Sequence, residues 1–125
     1  MNKTYPYTID NGQGELLTFT RLAQGPGGPR VEAEGVARPG AGPPMHVHYL
    51  QEEAVQVISG RFGYQLLGGE PQFAGPGEVV VWPAGTPHKW WNAGSDEFLY
   101  RTVCRILTGV FRRIVQICMM PRNSI

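Results

Sequence analysis

The side chains of this chain that could do chemistry are few and lie close together. Its three histidines are His46, His48 and His88, and two acids, Glu52 and Glu53, follow the first pair. Neutral imidazoles and a carboxylate are ordinary ligands for a divalent transition metal such as Fe, Mn, Ni, Co or Zn. A single histidine would more often be an unrelated surface or core residue. Every histidine of the chain falling in one stretch with a carboxylate is a different case. Four protein ligands, His46, His48, Glu53 and His88, would still leave open positions on such an ion for water or an oxygen-bearing molecule.

These side chains must be held by extended chain. His46 and His48 are two apart, so on a strand both leave the same face. Parity separates the two acids: with Glu53 facing inward, Val55 and Val57 follow it, while Glu52 and Gln56 stay in solvent. Were Glu52 the inward residue, Gln56 would be carried inside with it, so Glu53 is the expected ligand. On a later strand His88, Trp90 and Asn92 share a face, which sends Lys89 and Trp91 outward.

Seventeen glycines and eleven prolines cut the chain into short pieces, which argues against a helical fold. Strands are expected at Thr4–Ile9, Glu15–Leu22, Arg30–Ala37, Glu53–Ser59, Arg61–Leu67, Gln72-Phe73, Glu78–Trp82, His88–Asn92 and Glu97–Ile106. Many short strands separated by Gly/Pro turns mean an all-β antiparallel sandwich or barrel. The stiff turn Pro83-Ala84-Gly85-Thr86-Pro87 aims His88, with Gly85 at positive φ. After Ile106 the period changes. Val103, Ile106, Leu107, Val110, Phe111, Ile114, Val115 and Cys118 recur at three- and four-residue steps. Thr108 is placed to cap a helix expected over Leu107–Met119, its apolar face lying on the barrel or on a second subunit.

The motifs carry a resemblance. Gly40, five residues, His46-Val47-His48, four residues, Glu53, six residues and Gly60 match the first signature of the cupin superfamily. Gly77, five residues, Pro83-Ala84-Gly85, two residues, His88, three residues and Asn92 match the second. Sixteen residues separate them, and the whole region is somewhat under half of the chain. The chain thus resembles a small single-domain cupin, one domain over residues 1–125. The resemblance implies an antiparallel double-stranded β-helix, or jelly-roll barrel, with one C-terminal helix added from the periodicity. It also implies a metal site used for dioxygenation, isomerisation, other chemistry or non-catalytic binding. A fold hosts many functions, so the substrate and reaction do not follow from it.

Trp90, Phe62 and Tyr64, with Met45 and Trp82, are candidates to line an aromatic-walled pocket for a small organic ligand; the same rings serve equally to fill the barrel. No further histidine or inward acid is in evidence as a base. An enzyme here would lean on the metal, with Glu53 as the candidate catalytic proton carrier.

Size and charge bound the remaining possibilities. A chain of 125 residues buries a core without staples, and a net charge of +1 gives no electrostatic case for nucleic acid or a membrane surface. Cys104 and Cys118 are too few for a disulfide framework and sit in apolar surroundings. No stretch approaches a membrane span and no apolar leader follows Met1, so a cytoplasmic protein is expected. From Phe98 onward the chain carries five arginines and no acid. A homodimer is expected, with Thr4–Ile9 pairing onto a neighbour's sheet and Arg101, Arg105, Arg112 and Arg113 meeting acids of the partner such as Glu32 and Glu34.

Overall fold

β-Branched and aromatic runs between glycine turns leave the chain one economical way to satisfy its backbone, which is antiparallel pairing. The computed structural model describes residues 4–24, 28–106 and 123–124. The strands among them are β1 (Tyr7–Asp10), β2 (Glu15–Ala23), β3 (Arg30–Ala37), β4 (His46–Val47), β5 (Gln51–Ser59), β6 (Phe62–Leu66), β7 (Gln72–Ala74), β8 (Val79–Trp82), β9 (His88–Asn92), β10 (Phe98–Ile106) and β11 (Asn123–Ser124). They build two antiparallel sheets, ordered β1-β2-β3-β10-β5-β8 and β11-β4-β9-β6-β7. The all-β double-stranded β-helix is therefore the fold.

Each sheet turns an apolar face inward with a period of two. In β5 the buried residues are Gln51, Glu53, Val55 and Val57, and in β9 they are His88, Trp90 and Asn92. The interior is aromatic: Phe62, Trp82, Trp90, Phe98 and Tyr100 pack with Val55 and Val57, and a second cluster joins Phe19, Val31, Ala33 and Cys104. Tyr100 can lie flat against β3 because Gly35 stands there; a Cβ at that position would fall 2.1 Å from the Tyr100 ring. The β5–β6 hairpin turns at Gly60, whose φ of 99° a side chain would rarely adopt.

Several expected boundaries move. β5 begins at Gln51, two residues before the expected start, and His46–Val47 forms a strand of its own. Pro43 and Pro44, which lack backbone donors, keep β4 short. β1 pairs with β2 of the same chain, Tyr7 opposite Phe19, and forms one edge of the six-stranded sheet. Val103 and Ile106, the first two residues of the expected helical stripe, belong to β10 and are paired there. The helix expected over Leu107–Met119 lies outside the described residues, as does Cys118. No helix among the described residues is long and apolar enough to cross a membrane.

Candidate metal centre

The two sheets bring different donors to one place. The second sheet supplies the histidines: His46 on β4 lies directly opposite His88 on β9, and His48 follows β4 immediately. The first sheet supplies Glu53 on β5, flanked in register by Trp82 of β8 and Cys104 of β10. Ring centroids are 4.4 Å apart for His46 and His88, 5.0 Å for His46 and His48, and 6.1 Å for His48 and His88. Glu53 reaches both sides of the group, with Oε2 at 3.4 Å from His48 Nε2 and Oε1 at 3.8 Å from His88 Nε2. All four side chains are buried.

Local backbone sets the ring orientations. Nδ1 of His46 lies 2.7 Å from the Pro44 carbonyl, and Nδ1 of His88 lies 2.8 Å from the Thr86 carbonyl. A carbonyl only accepts, so both Nδ1 atoms carry the proton and both Nε2 atoms keep a lone pair. The turn before β9 is fastened to the other motif, since Gly85 donates its N–H to the His48 carbonyl at 2.7 Å with φ of 80°. At the far end, Gly40 donates to the Asn92 carbonyl and Asn92 donates back to Ala41. The Asn92 side chain faces no ligand: its amide nitrogen donates to the carbonyls of Ala37 and Asp96.

The donor set fits a divalent ion in chemistry. Three imidazoles and a carboxylate converge in a buried place, and Nε2 of His48 and of His88 make no hydrogen bond there. Among the described residues, no group of three or more His, Cys, Asp or Glu side chains is already arranged to hold a metal ion. The side chains would have to close further to do so.

The aromatic residues divide. Trp90 and Glu53 share the wall of an interior cavity of about 50 Å³. Phe62 and Tyr64 are absent from that wall. Phe62 is fully buried against Phe98, Trp90 and Tyr64, and the Tyr64 hydroxyl donates to Gln72. The indole that lies on a histidine is that of Trp82, stacked on His88 at 3.9 Å and 10°. Two residues near the donors were not singled out from the sequence. Gln51 contacts His48, and Cys104 lies beside Glu53. The inward parity of β5 would have found Gln51 had the strand been started two residues earlier; nothing local marks Cys104, which arrives through the β10–β5 register.

Two antiparallel sheets whose inward faces carry the motif residues define a double-stranded β-helix. The chain matches the cupin domain family over residues 35–104, more than half of its length, and belongs to that family. It is similar, at 35% identity over 57 residues, to the probable oxidoreductase virH of Hypocrea virens. That match covers 46% of this chain and 26% of the relative, so the chain spans about a quarter of the curated protein it resembles. Among solved structures it is similar to a conserved protein with a double-stranded β-helix domain from Klebsiella pneumoniae, with TM-score 0.65, 22% identity, and coverage of 78% of this chain and 76% of that one. KdgF from Halomonas sp. aligns with TM-score 0.64 and 21% identity over 79% of this chain and 87% of its own. At these identities the likeness is one of fold.

Proposed function

We propose that this cupin binds one divalent transition metal through His46, His48, Glu53 and His88 and acts as a small metal-dependent enzyme, of dioxygenase or isomerase type, on a small organic substrate. The observation that carries the reading is the convergence of three imidazoles from one sheet on a buried carboxylate from the other. A bound metal would supply Lewis acidity and, if iron or manganese, redox capacity. The chain's own residues do the rest. His46 and His88 present Nε2, held in that tautomer by backbone carbonyls. Trp82 covers one face of His88 and excludes water from it. Glu53 borders the interior cavity, where its carboxylate can hold or pass a proton. The relative named as a probable oxidoreductase supports a redox role, over the part of its length that this chain matches.

One observation favours the second reading, a non-catalytic binding or structural metal site. The cavity beside Glu53 is about 50 Å³, far below the few hundred Å³ of a usual organic-ligand pocket. Elemental analysis of the purified protein, followed by an O₂-uptake screen against small enolic and aromatic compounds, decides between them. Iron or manganese with uptake supports the enzyme, and zinc without uptake supports the second reading. Absence of any metal after purification and after reloading overturns both.

We also propose a homodimer, through the outer face of the six-stranded sheet, where Leu16, Ile58, Val79, Val81 and Leu99 are exposed. Arg101 and Arg105, expected on partner acids, pair with Glu34 and Glu52 of their own chain. Light scattering coupled to size exclusion should give twice the mass of one chain, and a clean single-chain mass at micromolar concentration would rule the dimer out.

A further inference from the structure

The three rings are not held alike. His46 and His88 each give Nδ1 to a backbone carbonyl, which can only accept, so their protons are fixed on Nδ1. Nδ1 of His48 faces a side chain instead. Its Nδ1 lies 3.2 Å from the amide nitrogen of Gln51, a side chain 1% exposed. An amide NH₂ only donates, so this Nδ1 accepts and the ring proton sits on Nε2, facing Glu53 Oε2 at 3.4 Å. A ring in that tautomer has no Nε2 lone pair for a metal, whereas its two neighbours do.

We infer that Gln51 is a positioning residue that decides whether His48 can be a ligand, by turning its amide end for end. The inference rests on the metal-binding reading above. With the amide turned, Oε1 faces Nδ1 and accepts its proton, and Nε2 is left with a lone pair. The proton count does not change: one proton leaves Nε2 of the neutral ring and one arrives at Nδ1. The surroundings allow both settings. The Gln51 amide nitrogen also lies 3.9 Å from Cys104 Sγ, and that sulfur lies 4.0 Å from Glu53 Oε2. In the present setting Cys104 accepts from Gln51 and donates toward Glu53; in the turned setting its S–H can donate to Gln51 Oε1. A thiol does both weakly, so it opposes neither. Unlike a backbone carbonyl, the amide can reverse its role.

The test is a long-range ¹H–¹⁵N correlation spectrum of the histidine rings, in chelator-treated protein and again after Zn(II). Three histidines give three ring patterns to assign. The expected metal-free pattern is Nδ1–H for His46 and His88 and Nε2–H for His48, with His48 alone changing to Nδ1–H on Zn(II). If His48 is already Nδ1–H without metal and Zn(II) still binds, the role of Gln51 falls and the metal reading stands. If the metal-free pattern is as expected but Zn(II) alters no ring, the metal reading falls and takes this inference with it. Variants add a second measurement by Zn(II) titration. Gln51→Glu offers only acceptors, so it should show His48 as Nδ1–H before metal and retain wild-type affinity or better. Gln51→Leu should bind roughly ten- to a hundredfold more weakly, the usual cost of losing the group behind a ligating histidine. Equal losses in the two variants would reduce Gln51 to a packing residue and overturn the proposal.

Discussion

Glu52 and Glu53 are neighbours of the same chemical type on one strand, and they live in different solvents. Glu53 faces inward, 6% exposed, opposite the histidines of the other sheet. Glu52 faces outward and receives a hydrogen bond from Arg105 Nη2 at 2.9 Å, with both side chains partly in water. The same contrast holds across the whole six-stranded sheet. Its inner face carries Val55, Val57, Trp82, Phe98 and Tyr100, while its outer face carries a ladder of arginines and glutamates. A group desolvated without good partners is costly, so an inward carboxylate is kept only where its surroundings make use of it. An exposed ion pair adds little to stability and can be exchanged freely. Side-chain parity, one residue in either direction, separates chemistry from solubility.

The widest gap between the faces should appear on β8. Trp82→Ala removes a buried indole stacked on His88 and should cost about 3–5 kcal/mol of unfolding free energy. Val81→Ala, next in the chain but 48% exposed in the single chain, should cost within about 0.5 kcal/mol at concentrations where the chain is monomeric. Urea unfolding of both variants measures the difference, and comparable losses would mean that β8 does not turn its faces as described.

The two acids come next. Losing the residue behind a ligand typically costs ten- to a hundredfold in metal affinity, so losing a ligand should cost no less than about tenfold. Glu53→Gln should therefore weaken Zn(II) or Co(II) binding by at least that factor, and Glu52→Gln should leave it near wild type. Retention by both variants, or loss with Glu52→Gln alone, would reverse the assignment of the two carboxylates.

Much of this contrast was legible in the sequence, for a physical reason. Parity is a property of each strand by itself, so the alternation in β5 and β9 could be read without knowing what faced it. The positive φ at Gly85 was likewise local, because a Pro-Ala-Gly-Thr-Pro turn needs it. What could not be read is what one strand meets on another. The Trp82–His88 stack joins two sheets, and the approach of Cys104 to Glu53 depends on the β10–β5 register. Trp90, a candidate for the pocket wall, packs on Phe62, Phe98 and Tyr100 and shares a cavity wall with Glu53, contacts that no single strand reveals. The strand expected over Glu97–Ile106 was legible for the same reason as the alternation in β5 and β9, and β10 runs over Phe98–Ile106.

A smaller effect is expected from the outer ladder. Arg105→Gln breaks the pair with Glu52 and should change stability by no more than about 1 kcal/mol. Thermal unfolding with and without added salt checks this, since the effect should shrink further as salt screens the pair. A loss as large as that of Trp82→Ala would mean that the outer face carries structural weight denied to it here.

The smallest effect concerns Glu32, on the same outer ladder. The hydrogen bond from Arg21 holds its carboxyl below the ordinary glutamate range, helped by the charges of Arg21 and Arg30 and opposed by partial burial. A carboxyl that is more acidic folded than unfolded binds fewer protons in the native state, so it stabilises the fold above its unfolded pKa. That contribution fades as pH falls from the ordinary glutamate range through the lowered folded value, and is gone below both. Glu32→Gln has no such dependence. The stability difference between wild type and Glu32→Gln should therefore be small and constant at neutral pH and close toward zero in acid. Solvent screening of this half-exposed ladder keeps the difference small, and added salt should reduce it. Urea unfolding of both proteins across the acid range measures it. A gap that widened as pH fell would show that the Arg21–Glu32 pair acts with the opposite sign.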